Sequence, residues 1–359
     1  MILICIFVLI ALGSQLVKKK NLIIYGFICA LVLASISFYI DIIPESDLFR
    51  HIEQIRLFKS QGLHWIIKTG KFQKNPGTQL TFWILSFLED YRYVPGIICF
   101  VAYGLMYNLI IKIYLDFNYS KKWLLFTMLF ANICFNYYLL IYAVRMWLVF
   151  IIFAYCMYEE CILERRKLLC WIVYIFLIFY HYASLILIIG RVINIFLHPT
   201  NNKIELLKRF VAVLIIILSM IYIWNNYIGV VVTKKIVSYE SYNVRGKWQI
   251  LNAVIRILGV LSIVLYQKFK RYRKKLACYY NILIYIIFII FLKFDNYQII
   301  LRFTDCLIVI CLAILPDSNK MVSKKNFTLT VSQIIMILMM VSSICYYLLF
   351  DFRHLHFIF

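Results

Sequence analysis

An all-α, polytopic integral membrane protein is the fold that this chain predicts, and three observations predict it. The 359 residues are 64% apolar and 15% charged, with a mean hydropathy of +0.87, whereas a soluble domain carries roughly 25% charged residues. Apolar runs near the ~20 residues needed to cross a bilayer recur along the whole chain. Lys/Arg clusters fall between these runs at Lys18–Lys20, Arg165–Lys167, Lys203–Arg209, Lys268–Lys275 and Lys320–Lys325. Clustered cations mark the cytoplasmic side of a membrane protein. Together these features predict about 11–13 membrane segments, some re-entrant or shortened, in one transmembrane domain spanning residues 1–359. The outer loops are expected at approximately 44–77 and 231–248.

Met1–Val17 is apolar, with Lys18–Lys20 after it rather than before it. That reverses the order of a secretory signal, so a retained first span with its N-terminus outside is expected. Leu22–Ile43 then rises. In the outer stretch that follows, Leu48, Phe49, Ile52, Ile55 and Phe58 recur at helical spacing, with Arg50, Glu53, Arg56 and Lys59 on the other face. This pattern predicts an amphipathic helix on the outer headgroup surface. Gln79–Leu88 is too short to cross, and Val94–Leu115 is long enough. With Lys121 and Lys122 inside, the short segment is expected to dip in and return, which irregular backbone does only against protein or water.

Trp123–Ala143 is expected to rise and Met146–Ile162 to descend, joined by a tight outer turn at Arg145. Leu168–His198 holds 31 residues between two inside clusters, where two full spans would need ~40. A shortened hairpin with its apex near His181 follows. Phe210–Ile228 rises, Gln249–Tyr266 descends, Leu276–Leu292 rises, Arg302–Leu315 descends and Phe327–Phe350 rises.

The net charge of +22 lies in short loops, where it sets topology and meets anionic headgroups. No aromatic-basic module for nucleic acid accompanies it, so no nucleic-acid partner is expected. The 11 Cys lie in or beside apolar runs without a C-x-x-C, which predicts buried thiols rather than a zinc site or disulfide framework. No metal and no cofactor are expected.

Single charges at the outer ends of the runs carry the candidate chemistry. Arg145 opens an unbroken apolar run. It either snorkels to headgroups or meets an anion, for which its planar fork is suited. His181 is either a hydrogen-bonded core residue or an acid, base or donor. Tyr239–Trp248 mixes aromatics, hydroxyls and cations. Tyr242 and Trp248 could face sugar rings there, and Arg245 and Lys247 a phosphate. Arg302 and Asp305 are three apart and expected to pair, with Arg302 still able to reach a ligand. Arg256 is a further cation within its run. Asp47 is either a helix-start residue or a general base.

The order Ser46-Asp47-Leu48-Phe49-Arg50-His51, the aromatic stretch Phe135–Tyr138 leading to Arg145, His181-Tyr182-Ala183-Ser184, and Leu301-Arg302-Phe303 resembles the EpsG family of exopolysaccharide polymerases. That family is related to the O-antigen polymerase (Wzy) group, and the likeness covers roughly Lys18–Pro316. The resemblance implies a glycosyltransferase of the bacterial cytoplasmic membrane that polymerises undecaprenyl-pyrophosphate-linked oligosaccharides on the outer face. Membrane lipid, a chain-length regulator and a flippase are the implied partners. Since a departing pyrophosphate develops charge that fixed arginines stabilise, Arg145, Arg245 and Arg302 are expected to hold it, with His181 or Asp47 activating the acceptor hydroxyl. A flippase of lipid-linked glycans, a monomer-using glycosyltransferase and an acyltransferase centred on His181 are the other classes open at this stage.

Overall fold

The computed structural model describes residues 2–42, 44, 46–68, 75–197, 207, 211, 218, 247–270, 276–292, 297–315, 331–346 and 348. These residues form helices in the order α1 (Ile2–Leu16), α2 (Leu22–Phe38), α3 (Asp47–Lys68), α4 (Pro76–Leu85), α5 (Tyr93–Asp116), α6 (Lys121–Cys134), α7 (Tyr137–Tyr142) and α8 (Val144–Met157). After these come α9 (Lys167–Tyr180), α10 (Ser184–Leu197), α11 (Lys247–Lys270), α12 (Ala277–Leu292), α13 (Tyr297–Cys311) and α14 (Val331–Tyr346). The chain is thus all-helical among the described residues, as its composition predicts.

Among the described residues, three helical stretches are long and apolar enough to cross a membrane: Lys19–Phe38, Tyr93–Asp116 and Gln249–Lys268. Shorter apolar helices accompany them, α1, α9, α12 and α14 among them. At ~1.5 Å rise per residue these reach roughly 21–24 Å, less than the ~30 Å of a hydrocarbon core. The expected 210–228 segment lies outside the described residues except for Val211 and Leu218, as does the loop at 231–246.

Helix α5 lies at the centre: 72% of its apolar window is buried, against 39% for the Lys19–Phe38 stretch. It packs along α2 and against α8, and α8 in turn packs on α13. Outward faces are apolar too. Ile24, Phe27, Ile28 and Leu31 on α2, and Leu168, Leu169, Ile172, Ile175 and Phe176 on α9, are exposed. Such continuous stripes exceed the scattered apolar residues normal on a water-facing surface.

Lys19 and Lys121 share one end of the bundle. Lys19 Nζ donates to Asn118 Oδ1 at 3.0 Å. Lys121 Nζ donates to Gln15 O at 2.6 Å, and Gln15 Nε2 to Lys121 O at 2.9 Å. Trp123 Nε1 reaches Leu315 O at 3.0 Å, which brings the end of α13 there as well. The opposite end joins Phe38 to Tyr93, with ring centroids 5.1 Å apart.

Near the lysine end, α8 runs into a π-helical turn, Tyr158–Ile162. A π turn shifts the side-chain register by inserting one residue, and here two successive carboxylates meet different neighbours. Glu159 pairs with Lys112 of α5. Glu160 takes Arg191 Nε at 3.0 Å and Nη2 at 2.8 Å, together with Trp171 Nε1 and Tyr174 Oη, each at 3.1 Å. Both carboxylates are about 95% buried and hydrogen-bonded, so this network ties α5, α8, α9 and α10 together.

Two expectations are corrected here. The apolar face of α3 is covered by protein, not lipid: Leu48, Ile52, Ile55 and Phe58 are 0–1% exposed, and α3 packs on α4 and α7. Ser46 Oγ caps its start by accepting from Phe49 N at 3.1 Å, and Gly62 (φ +71) kinks it. Residues 123–143 do not form one helix. Asn136 ends the rise of α6 and caps α7, its Oδ1 accepting from Leu139 N at 3.0 Å, because a short amide side chain competes with the helical ladder.

Candidate functional site

At the end away from the lysines, α7, α8, α11, α13 and α14 converge on a buried ion pair. Arg256 Nη1 donates to Asp305 Oδ1 at 2.6 Å, with both side chains at most 5% exposed. Trp147 Nε1 donates to Asp305 Oδ2 at 2.9 Å. Arg256 Nε and Nη2 donate to Ser343 Oγ at 3.2 and 3.0 Å, and Ser343 Oγ donates to Met339 O at 2.8 Å. The expected Arg302–Asp305 pair is therefore corrected. Asp305 faces α11, and Arg256 is the cation it meets across that interface.

A cavity of about 20 Å³ adjoins the pair, lined by Asn136, Asn252, Arg256, Thr304, Asp305 and Tyr346 among others. That volume holds one water molecule. Polar side chains enter it among apolar ones, Leu139, Ala253 and Leu301.

Arg145 lies in the first turn of α8, as the turn before it predicts. Arg302 lies inside α13 rather than at its start, because the apolar residues Ile299–Leu301 extend the helix backward. Arg302 reaches α8 at Met146, the residue after Arg145, whose Sδ is 4.0 Å from Arg302 Nη1. Arg145 also acts electrostatically on the Tyr180 hydroxyl at the end of α9. It thus stands between α13 and the α9–α10 hairpin.

That hairpin turns at His181, where the 31-residue count puts it. His181 Nδ1 accepts from Ala183 N at 3.2 Å, so in the neutral ring the proton sits on Nε2. This leaves Nε2–H as a donor. The short helix α4 seats against the same hairpin: Thr78 Oγ1 donates to Tyr180 O at 2.5 Å. Gly77 is required there, since a Cβ would lie 3.1–3.2 Å from the Tyr180 and Phe179 backbone. Gln54 Nε2 donates to Gln79 Oε1 at 2.6 Å and joins α3 to α4.

Asp47 opens α3 and is held by Arg50 one turn on. Through α3 it stands beside α7. Tyr142 at the end of α7 donates to Asp41 O at 3.0 Å. Tyr242 and Arg245 lie outside the described residues, and Trp248 is in the first turn of α11 with its side chain outside them.

The structure brings Arg145, Arg302 and the His181 hairpin to the end that holds Arg256 and Asp305, with Asp47 set apart on α3. Sequence reasoning missed Asn136, Trp147 and Asn252, and underweighted Arg256. One signal was present: Gln249, Asn252 and Arg256 are spaced three and four apart, a polar stripe on one helix face. Among the described residues no three His, Cys, Asp or Glu side chains converge to hold a metal. No family model, no curated protein and no solved structure matches this chain.

Proposed function

We propose that this chain is a polytopic protein of the bacterial cytoplasmic membrane, with about 11–13 membrane segments, that polymerises lipid-linked oligosaccharide repeat units on the outer face. One observation carries the reading: Arg302, one turn before the buried Asp305 of the Arg256–Asp305 pair, reaches Met146, the residue that follows Arg145, at the end opposite Lys19 and Lys121. The exposed apolar stripes on α2 and α9 support a bilayer around the bundle.

In this reading a hydroxyl of the incoming unit attacks the anomeric carbon of the growing glycan. The new glycosidic C–O bond forms as the bond to the lipid pyrophosphate breaks, and the hydroxyl proton passes to a base, the role for which His181 and Asp47 are the two candidates. Charge develops on the departing pyrophosphate. Arginines fixed in a water-poor site stabilise it without reorganising, and each such donor is worth roughly 10²–10³ in rate. Arg145 and Arg302 fill that role, joined by Arg245. His181 donates from Nε2 to a phosphate or sugar oxygen, and Tyr242 and Trp248 offer ring faces to the glycan.

The test is replacement of Arg145 or Arg302 with Ala. Both variants are expected to insert normally, to lose polymer, and to leave single repeat units on the outer leaflet. Normal chain length in both refutes the assignment, and single units confined to the inner leaflet mark a flippase instead.

A further inference from the structure

Along the outside of α2 and α5 runs an apolar groove of about 510 Å³, lined by Leu31, Ala34, Phe38, Tyr93, Ile97 and Phe100 among others. Gly96 forms part of its floor, against Ala34 of α2. Packed helix axes lie 8–10 Å apart, so the surface between two such helices offers a slot about one hydrocarbon chain wide. A phospholipid brings two chains.

The two ends of the groove differ. Leu31 lies toward the middle of α2 and is open, 57% exposed. The other end is aromatic, with Phe38, Tyr39 and Tyr93, and the Arg92 guanidinium carbon sits 5.0 Å over the Phe38 ring. Arg92 also pairs with Asp90 at 2.7 Å. Next to it, Arg56 and Lys59 lie 5.2 and 5.8 Å over the Tyr91 ring, with Glu53 paired to Arg56. Lys59 Nζ donates instead to a carbonyl, Leu88 O, at 3.2 Å, so its charge is presented at the rim beside the two pairs. The same end leads to the candidate site: Asp41, two residues beyond Tyr39, accepts from Tyr142, and Tyr142 opens the turn to Arg145.

We propose that this groove holds the isoprenoid chain of a polyprenyl-phosphate-linked substrate, with its phosphate at the Arg92 rim on the path to Arg145. The inference rests on the polymerase reading for the identity of the lipid. A single apolar chain fits the slot, an anionic head suits the rim, and the route from one to the other ends at the arginine assigned to the leaving group.

The full chain, purified and loaded with an equimolar mixture of polyprenyl phosphate and phosphatidylglycerol, is expected to retain the polyprenyl phosphate in native mass spectrometry. Ile97→Trp and Ser35→Trp, which fill the groove from exposed positions, are expected to lower that retention about tenfold. Ile172→Trp, on the exposed face of α9, leaves it unchanged. Two groove positions are used so that one misfolded variant does not decide the matter. Equal retention of phosphatidylglycerol, or wild-type retention by the groove variants that fold, overturns the proposal. Polymer formation is read separately in cells: if the wild-type chain proves not to polymerise while Ile97→Trp still sheds the polyprenyl lipid, the activity falls and the groove stands.

Discussion

Arg256 on α11 and Asp305 on α13 bond at 2.6 Å with almost no exposed surface, and each is completed by a neutral partner, Ser343 for the cation and Trp147 for the carboxylate. Breaking such a pair strands a buried charge and costs about 3–5 kcal/mol, whereas replacing both partners with apolar residues is often neutral or stabilising. Asp305→Ala is therefore expected to lower thermal stability sharply. The double variant Arg256→Met with Asp305→Leu is expected to recover it while polymer stays absent. Thermal denaturation of the purified chain, read beside polymer in cells, separates the two effects.

Glu160 offers the contrasting case at the lysine end. Trp171, Tyr174 and Arg191, on α9 and α10, all donate to it. Glu160→Ala leaves the Arg191 guanidinium buried without its carboxylate and is expected to cost about 3–5 kcal/mol. Polymer made per inserted molecule is expected to stay near wild type, measured against protein level in the membrane.

Gly77 sets how closely α4 seats on the His181 hairpin. A methyl group at that position meets backbone on both Phe179 and Tyr180, and backbone cannot swing aside. Gly77→Ala is expected to cost about 1–3 kcal/mol, the range for overpacking, and to reduce polymer because the hairpin moves. A denaturation midpoint equal to wild type counts against this seating.

The hydrogen bond from Ala183 N to His181 Nδ1 assigns the ring a donor at Nε2. His181→Gln keeps an N–H donor and is expected to retain part of the rate. His181→Ala is expected to lose roughly 10²-fold, the lower range for a positioned acid–base or donor group. Equal loss in both variants, measured as polymer against protein level, removes the donor role.

Sidedness is open to direct chemistry. With the exposed Cys5 and Cys345 changed to Ser, Asp90→Cys is expected to react with an impermeant maleimide on intact cells. Asn118→Cys, beside Lys19 at the other end, is expected to react only after permeabilisation. The reverse pattern inverts the bundle and removes the outer-face assignment.

Much of this arrangement was legible in single residues. The length of Val94–Leu115 announced α5, which covers Tyr93–Asp116. The short interval between the Arg165–Lys167 cations and residue 198 placed a turn at His181, where α9 ends. The apolar spacing on α3 gave the correct buried face, although not its cover, since lipid and protein reward the same pattern. What stayed hidden depends on pairing across long separations. Asp305 lies one turn from Arg302 in sequence but bonds a cation 49 residues away, and no local spacing ranks those partners. The break at Asn136 was hidden because apolar residues continue on both sides of it, and the π turn because its register shift shows only once Lys112 and Arg191 are in place.

The space between Asn136, Asn252 and Tyr346 admits about one water molecule beside the Arg256–Asp305 pair. On the polymerase reading, a glycan entering here would have to widen that space, and a disulfide across it would block entry while leaving every reacting group intact.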